Sequence, residues 1–349
     1  MIKEVQGLRF WAILMVIFVH SPIIIPTEYS GVKNAIWKVF HTSTGVELFF
    51  VLAGYFMISS LEKLNIDATE KKISTKLIIE FIVKKFRRLA PSAYFWVFIA
   101  LTFSVITNNK ALFLEPSVMA QKFFSTILWF RNFNEAAQPT HLGYFWAISL
   151  EFQFFVIFSI IYLVLGRKYT LYISIVLCCI QMFYRPGGGM SWLFRFDPLL
   201  YGVLAYYLFD YVGRDFFAKI FTHNYFVKVS LSLLLVLSLS AVLTAFPSYP
   251  NLKITISGLT AAFMLILALS RNGHFYTENK ILASVIDYIA SRSYALFCTH
   301  ILVWCIVKYF YSVININNGK VLFISALIAM FLASEFSYRY IENIWVKKK

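Results

Sequence analysis

The chain has 349 residues, of which 60% are hydrophobic and only 14% are charged, and its mean hydropathy is +0.70. A soluble domain typically has about 25% charged residues, so this composition excludes an ordinary soluble protein. We attribute the net charge of +15 to membrane topology rather than to nucleic-acid binding, because the Lys and Arg residues mostly flank apolar segments.

Apolar segments of membrane-spanning length follow one another along the whole chain. The predicted spans are residues 8–25, 43–61, 89–107, 143–165, 169–184, 192–210, 228–246, 252–270, 292–313 and 319–340. The sequence therefore predicts an all-α polytopic membrane protein with about ten transmembrane helices. We expect a single integral-membrane domain over residues 1–349, without a separate soluble domain. With the amino terminus inside, the inner segments hold 22 of the 32 Lys and Arg residues, so both termini are predicted to be cytoplasmic.

Two of the segments between the predicted spans are long. The inner loop 62–88 ends in a basic run, and the outer segment 108–142 is the only sizeable extracytoplasmic loop. Within the outer segment, residues 118–131 are aromatic and amphipathic but short, and we expect them to lie along the membrane interface. The four cysteines all fall in apolar runs without metal-ligand spacing to His, so no metal site is predicted.

The first predicted span carries two polar residues, Arg9 and His20, that are costly to place in hydrocarbon. They are eleven residues apart, and eleven steps of about 100° bring a helix back to within about 20° of its starting face. One helix face is therefore predicted to carry a guanidinium near the cytoplasm and an imidazole about 16 Å further along the axis. This arrangement indicates a path for a substrate through the membrane.

Further polar residues fall inside the predicted spans, among them Glu47, Glu151, Arg195 and His300. Helical rise places Glu151 about 12 Å below the outer surface and His20 about 8 to 10 Å below it. We therefore expect these groups to meet at one level in the outer half of the membrane.

Five ordered motifs give the chain a resemblance to the integral-membrane acyltransferase-3 family. The motifs are Gly7-Leu8-Arg9-Phe10 leading to His20, the run from Gly45 to Tyr55, the run from Trp146 to Phe155, Ser293-Tyr294 with His300, and Tyr338-Arg339-Tyr340-Ile341-Glu342. The resemblance covers essentially the whole chain. The chain departs from the family pattern in several places: Glu47 stands in place of Asp, Ala53 and Ala147 each in place of Ser, Lys84-Lys85 in place of an Arg pair, and Asn343-Ile344 in place of Lys-Pro.

The resemblance implies that Arg9 and His20 are essential and that His20 is the catalytic base. It also implies that the acyl group comes from cytoplasmic acyl-CoA and ends on a cell-envelope glycan or another acceptor that is often extracytoplasmic. The basic run before the third predicted span would then meet the phosphates of CoA. Some family members have a fused extracytoplasmic esterase-like domain, which is not predicted in this sequence.

The chemistry of the residues supports the same interpretation. A neutral imidazole accepts the proton of a sugar hydroxyl as the oxygen attacks a thioester. A neighbouring carboxylate, either Glu151 or Glu47, would fix the tautomer of His20 and stabilise its imidazolium. The sequence does not decide between these two. The other predicted site residues are the donor-binding Arg9, Lys84, Lys85 and Arg88, and the substrate-binding Arg195, Tyr294 and His300.

These features predict a membrane O-acyltransferase, most simply an O-acetyltransferase, acting on a hydroxyl of a cell-envelope or exported glycan. Its co-substrate would be acetyl-CoA or another acyl-CoA, with no permanently bound cofactor. Its partners would be a glycan or lipid-linked glycan and membrane lipids, with no nucleic acid, and a homodimer is left open. The predicted location is the inner (plasma) membrane of a bacterium.

The alternative is a transporter or flippase of lipid-linked sugars. Transporters often have helices broken by Gly or Pro in two repeated halves. Here Pro22, Pro91 and Pro198 fall at span edges and no repeat is visible, which favours the enzyme.

Overall fold

A computed structural model describes residues 2–67, 75–185, 193–221, 224–246, 248 and 250–347. Within these ranges the chain forms helices joined by short turns, and no β-strand is present. The α-helices are α1 (Lys3–His20), α2 (Ser30–Val39), α3 (Gly45–Asp67), α4 (Thr75–Thr107), α5 (Lys110–Phe113), α6 (Pro116–Ile127), α7 (Arg131–Ala137), α8 (Trp146–Phe183), α9 (Asp197–Val212), α10 (Arg214–Ile220), α11 (Tyr225–Ala245), α12 (Pro250–Ser270), α13 (Lys280–Ser291), α14 (Ser293–Val313), α15 (Gly319–Phe336) and α16 (Asn343–Lys347). A π-helical turn, Ser337–Glu342, joins the last two helices.

Eight helical segments of the described chain are long and apolar enough to cross a membrane. They are Lys3–Ile23, Thr42–Leu64, Thr75–Thr107, Gly143–Phe183, Tyr225–Ala245, Asn251–Ser270, Ser293–Val313 and Gly319–Trp345. The prediction of an all-α polytopic membrane protein is therefore confirmed. The count of about ten spans and the cytoplasmic termini stay predictions. Part of the inner loop 62–88 and the first residue of the predicted span 192–210 lie outside the described residues.

The chain reverses direction within α8. Gly166 has φ 73° and ψ −179°, a conformation that glycine adopts without steric cost. Before the break, α8 begins at Trp146, whose ring lies 5.5 Å from the guanidinium of Arg195. After the break, the chain returns to Arg185, which pairs with Asp197. Because Arg195 and Asp197 are near neighbours in sequence, both ends of α8 lie at the same level, as expected for two predicted spans.

Close contact between α3 and α9 depends on two glycines. A Cβ atom added to Gly54 would overlap the backbone of Leu199, and one added to Gly202 would overlap the carbonyl of Val51. Small residues of this kind let two helix backbones approach each other inside a membrane. The pair fixes α3, and with it Glu47, against the helix that follows Arg195.

We expect Gly54→Ala and Gly202→Ala each to destabilise the protein by about 1–3 kcal/mol, the usual cost of overpacking a tight contact. Thermal unfolding in detergent, followed by intrinsic fluorescence, measures the effect. Gly31→Ala is the matched control, because a Cβ atom there meets nothing within 4 Å. Wild-type stability of Gly54→Ala would contradict the close packing.

The segment 108–142, which is predicted to be extracytoplasmic, is largely helical. It contains α5, α6 and α7, and α6 packs along α4, where the Tyr94 hydroxyl donates to the carbonyl of Ile127 at 2.7 Å. The stretch 118–131, predicted to lie along the interface, therefore rests against a membrane-spanning helix over most of its length.

Candidate active site

Among the cavities along α1, one lies beside Arg9 and another beside His20. The Arg9 cavity has a volume of about 270 Å³, and its polar wall is Gln6, Arg9, Lys85, Arg88, Glu151, Ser293 and Tyr294. The His20 cavity has a volume of about 340 Å³ and is lined by Val19, His20, Pro22, Ile23, Trp37, Glu135, Pro139, Thr140, His141, Gly143, Tyr144 and Trp146. Consecutive residues at the start of α8 line different cavities: Trp146 lines the His20 cavity and Ala147 lines the Arg9 cavity.

The Arg9 cavity combines cations with an apolar wall. Arg9 Nη2 donates to Ser293 Oγ at 3.0 Å, which ties α1 to the start of α14. Lys85 Nζ lies 4.7 Å from the centre of the Phe155 ring. The remaining wall includes the aromatic side chains Phe49, Phe50, Phe56 and Phe297. An anion entering this cavity would meet charges that are only partly hydrated, where electrostatic attraction is stronger than in water.

Glu151 belongs to the Arg9 cavity, which differs from the expected meeting with His20. Its carboxylate interacts with Arg88, Lys85 and Arg9. The physical reason lies in where α8 begins. Trp146 lies on the wall of the His20 cavity, and Glu151 is five residues further along the helix, about 7 Å deeper.

The structure adds a second carboxylate to this group of cations. Glu342 interacts with Arg88 and Arg9 and accepts a hydrogen bond from Ser92 Oγ at 3.1 Å. It lies at the end of the π-helical turn, a feature often found at functional sites. The motif ending in Glu342 was the available signal in the sequence, but its contact with the opposite end of the chain was not predictable from it.

Only some side chains of the basic run on α4 line the Arg9 cavity. Lys85 and Arg88 line the Arg9 cavity, whereas Lys84 and Arg87 are exposed and do not line it. Four residues of an α-helix complete just over one turn, so neighbouring cations point in different directions. Of the predicted donor-binding residues, the structure thus brings Arg9, Lys85 and Arg88 together and leaves Lys84 apart.

The ring of His20 is held by a backbone carbonyl and a second histidine. His20 Nδ1 lies 2.8 Å from the carbonyl oxygen of Val16 and 3.1 Å from His300 Nε2. Glu47 instead pairs with Arg195. Neither carboxylate that the sequence offered as a partner for His20 makes a hydrogen bond to it within the described part of the chain.

The three predicted substrate-binding residues have different surroundings. Arg195 pairs with Glu47, and its guanidinium lies over the ring of Trp146. Trp146 lines the His20 cavity, whereas Arg195 does not. Tyr294 lines the other cavity, and its hydroxyl donates to the carbonyl of Leu89 at 2.5 Å. His300 is fully buried and lines neither cavity.

A buried ionic cluster next to the His20 cavity was not predicted. Glu135 Oε1 lies 2.9 Å from Lys122 Nζ and 3.0 Å from Arg131 Nε, and all three side chains are at least 97% buried. Burial lowers the pKa of Arg131 to about 10, so this guanidinium remains charged at neutral pH. Glu135 also accepts a hydrogen bond from the backbone N–H of Thr140 at 2.8 Å, which holds the cavity wall in place.

The fold and the paired cavities define a polytopic membrane protein with a charged site inside its helical bundle. The chain belongs to the acyltransferase-3 family, since the family model, described as an acyltransferase domain, matches residues 2–338. The family resemblance found in the sequence motifs is therefore confirmed.

Curated relatives are longer than this chain. It is 23% identical over 369 residues to the O-acetyltransferase OatA of Staphylococcus aureus, covering 98% of this chain and 57% of that protein. It is 28% identical over 169 residues to the peptidoglycan O-acetyltransferase OatA of Listeria monocytogenes, covering 47% of this chain and 24% of that protein. YrhL of Bacillus subtilis is 26% identical over 212 residues, covering 54% of this chain and 30% of that protein. The matched region thus covers at most 57% of the length of any of these relatives. No solved structure matches it.

Proposed function

We propose that this protein is a bacterial plasma-membrane O-acetyltransferase that moves an acetyl group from cytoplasmic acetyl-CoA to a hydroxyl of a cell-envelope glycan. One observation carries the proposal: α1 places Arg9 on the wall of one cavity and His20 on the wall of the other. Consecutive residues of α8, Trp146 and Ala147, line the two cavities, and in this proposal the donor reaches His20 from the Arg9 cavity while the acceptor occupies the His20 cavity. The names of the OatA relatives support acetyl as the group transferred.

The charge of the Arg9 cavity suits the donor. Arg9, Lys85 and Arg88 provide three cations against the carboxylates Glu151 and Glu342, which leaves an excess of positive charge for phosphate groups. A cavity of about 270 Å³ fits the narrow pantetheine arm, while the nucleotide would remain at the cytoplasmic mouth. The arm would extend along α1 from Arg9 towards His20, a distance of about 16 Å along the helix.

The His20 cavity suits a sugar. Trp37, Tyr144 and Trp146 provide aromatic faces, and Thr140 and His141 add polar groups. Aromatic side chains with a polar tip favour ligands that combine apolar faces with hydroxyl groups. A sugar ring stacked in this cavity would bring a hydroxyl to the imidazole of His20.

A single base, His20, accounts for every proton moved in the proposed transfer. His20 Nε2 takes the proton from the acceptor hydroxyl as the oxygen attacks the carbonyl carbon of the acetyl thioester. The carbon–sulfur bond then breaks, and the CoA thiolate takes the proton back from the imidazolium. The products are the O-acetylated glycan and free CoA, and His20 returns to its neutral form.

The test is acceptor-dependent release of CoA from acetyl-CoA by the purified full chain in nanodiscs. Peptidoglycan fragments, lipid-linked sugars and other envelope glycans serve as acceptors, and acetylated product is identified by mass spectrometry. Release that requires both substrates supports the proposal. No release with any acceptor or acyl donor from folded protein would overturn it and favour the transporter.

Arg88→Ala is expected to raise the KM for acetyl-CoA by about 10- to 100-fold with a smaller change in kcat, because a hydrogen bond to a charged group contributes about 1.5–3 kcal/mol. Steady-state kinetics at saturating acceptor measures this. Arg87→Ala removes the same charge from the neighbouring position, which is exposed outside the cavity, and should leave the KM near its wild-type value. Equal changes of KM in both variants would contradict donor binding by Arg88 and would indicate that the basic run only sets the membrane topology.

A further inference from the structure

We infer that His300, rather than a carboxylate, is the residue that positions His20 for catalysis. The inference rests on the proposed function, since it concerns the base of that reaction. His300 lies on α14, 280 residues from His20 along the chain. The two ring centres are 5.0 Å apart.

The backbone of α14 fixes the proton on His300. Its Nδ1 lies 2.9 Å from the carbonyl oxygen of Phe297 and 3.1 Å from that of Leu296. A carbonyl oxygen only accepts hydrogen bonds, so Nδ1 must carry a proton. In a neutral ring the other nitrogen, Nε2, then has a free lone pair. This is the nitrogen that faces His20.

The backbone of α1 fixes the proton on His20 in the same way. Its Nδ1 lies 2.8 Å from the carbonyl oxygen of Val16, so Nδ1 again carries the proton. That proton is shared with His300 Nε2, which is an acceptor at 3.1 Å. Both contacts demand the same tautomer of His20. Its Nε2 is therefore left with a lone pair, as a general base requires.

His300 takes the place that a carboxylate occupies in an esterase triad. When His20 accepts a proton at Nε2, its Nδ1–H becomes a stronger donor to Val16 and His300. A neutral acceptor holds the ring orientation without placing a second charge in the bundle, where an isolated charge is costly. Glu47 and Glu151 are engaged with Arg195 and with the cations of the Arg9 cavity.

The surroundings of His300 favour a role that acts through His20. Its side chain has no exposed surface, and it lines neither cavity. The rings of Tyr144, Trp304 and Phe297 lie 5.1, 5.6 and 6.0 Å from its own. In this inference His300 is a positioning residue that acts through His20, in contrast to the substrate-binding role predicted from the sequence.

Two amide substitutions separate the roles of the two ring nitrogens. Gln at position 300 can place an acceptor near the former Nε2, whereas Asn reaches only the former Nδ1. We expect His300→Asn to lower kcat by about 10- to 100-fold, the value of one hydrogen bond to a charged group, with both KM values unchanged. His300→Gln should recover most of kcat. Equal kcat for Asn and Gln, or a loss confined to KM, would overturn the inference.

A spectroscopic measurement tests the pair without any turnover. In protein labelled with ¹⁵N-histidine, the His20 signals are assigned by their loss in His20→Gln. The expected spectrum has a protonated Nδ1 and a bare Nε2 for His20, with the Nδ1 signal shifting in His300→Asn. A protonated Nε2, or no shift, would overturn the inference. The spectrum does not depend on the proposed function. Failure of the wild-type protein to transfer acetyl would refute the proposed function and leave the result of the spectrum unchanged.

Discussion

His20→Ala is expected to lower acceptor-dependent acetyl transfer by about 10²- to 10⁴-fold, the usual contribution of a general base. The substitution removes the proposed base from the wall of the His20 cavity, so the attacking hydroxyl would have to lose its proton to water. Radiolabelled acetyl transfer to a soluble glycan acceptor measures the loss.

The fold should survive this substitution. Removing His20 takes one donor away from the Val16 carbonyl and from His300 Nε2, but it leaves no buried charge behind. Phe18→Ala is a control on the same helix, because Phe18 is exposed and lines neither cavity. It should retain wild-type activity. Wild-type turnover by His20→Ala would contradict the assignment of the base.

Glu135→Ala is expected to cost about 3–5 kcal/mol in the free energy of unfolding, because it leaves two buried cations without their carboxylate. Lys122 and Arg131 both lie within 3.0 Å of Glu135. Glu135 raises the pKa of Arg131 against the lowering effect of burial, so its removal leaves the desolvation of this guanidinium uncompensated. The loop that carries Thr140 would also lose its anchor.

Thermal unfolding in detergent and the yield of monodisperse protein measure this destabilisation. Glu115→Ala is the matched control, since Glu115 pairs with Lys110 at 3.4 Å on the surface, where both side chains are more than half exposed. An exposed pair contributes about 0–1 kcal/mol. Similar melting temperatures for the two variants would contradict a structural role for the buried cluster.

The sequence alone predicts the fold class and the placement of Arg9 and His20 on one face of α1. Composition and apolar length predict a polytopic helical membrane protein without reference to any contact. The eleven-residue spacing of Arg9 and His20 follows from helix geometry alone. The structure places Arg9 on one cavity and His20 on the other, and a substrate path between them stays a prediction.

Contacts between helices that are distant in the chain could not be predicted from the sequence. The partner of His20 lies on another helix, and neither helix contains a signal that would pair it with the other. Glu151 lies on the Arg9 cavity rather than beside His20, because Trp146, five residues earlier on α8, already lines the His20 cavity. The cluster around Glu135 was missed because α6 and α7 are too short to stand out as buried helices.

The most direct measurement of the proposed transfer is the sidedness of its two substrates. Purified protein is reconstituted into sealed vesicles with a known orientation and with a glycan acceptor inside, and ¹⁴C-acetyl-CoA is added outside. In molecules whose Arg9 end faces the added acetyl-CoA, label should appear on the trapped glycan while CoA stays outside, and His20→Ala should abolish this transfer. Label that appears only when acetyl-CoA and glycan share one compartment would contradict the proposed transfer from a donor in the Arg9 cavity to an acceptor in the His20 cavity.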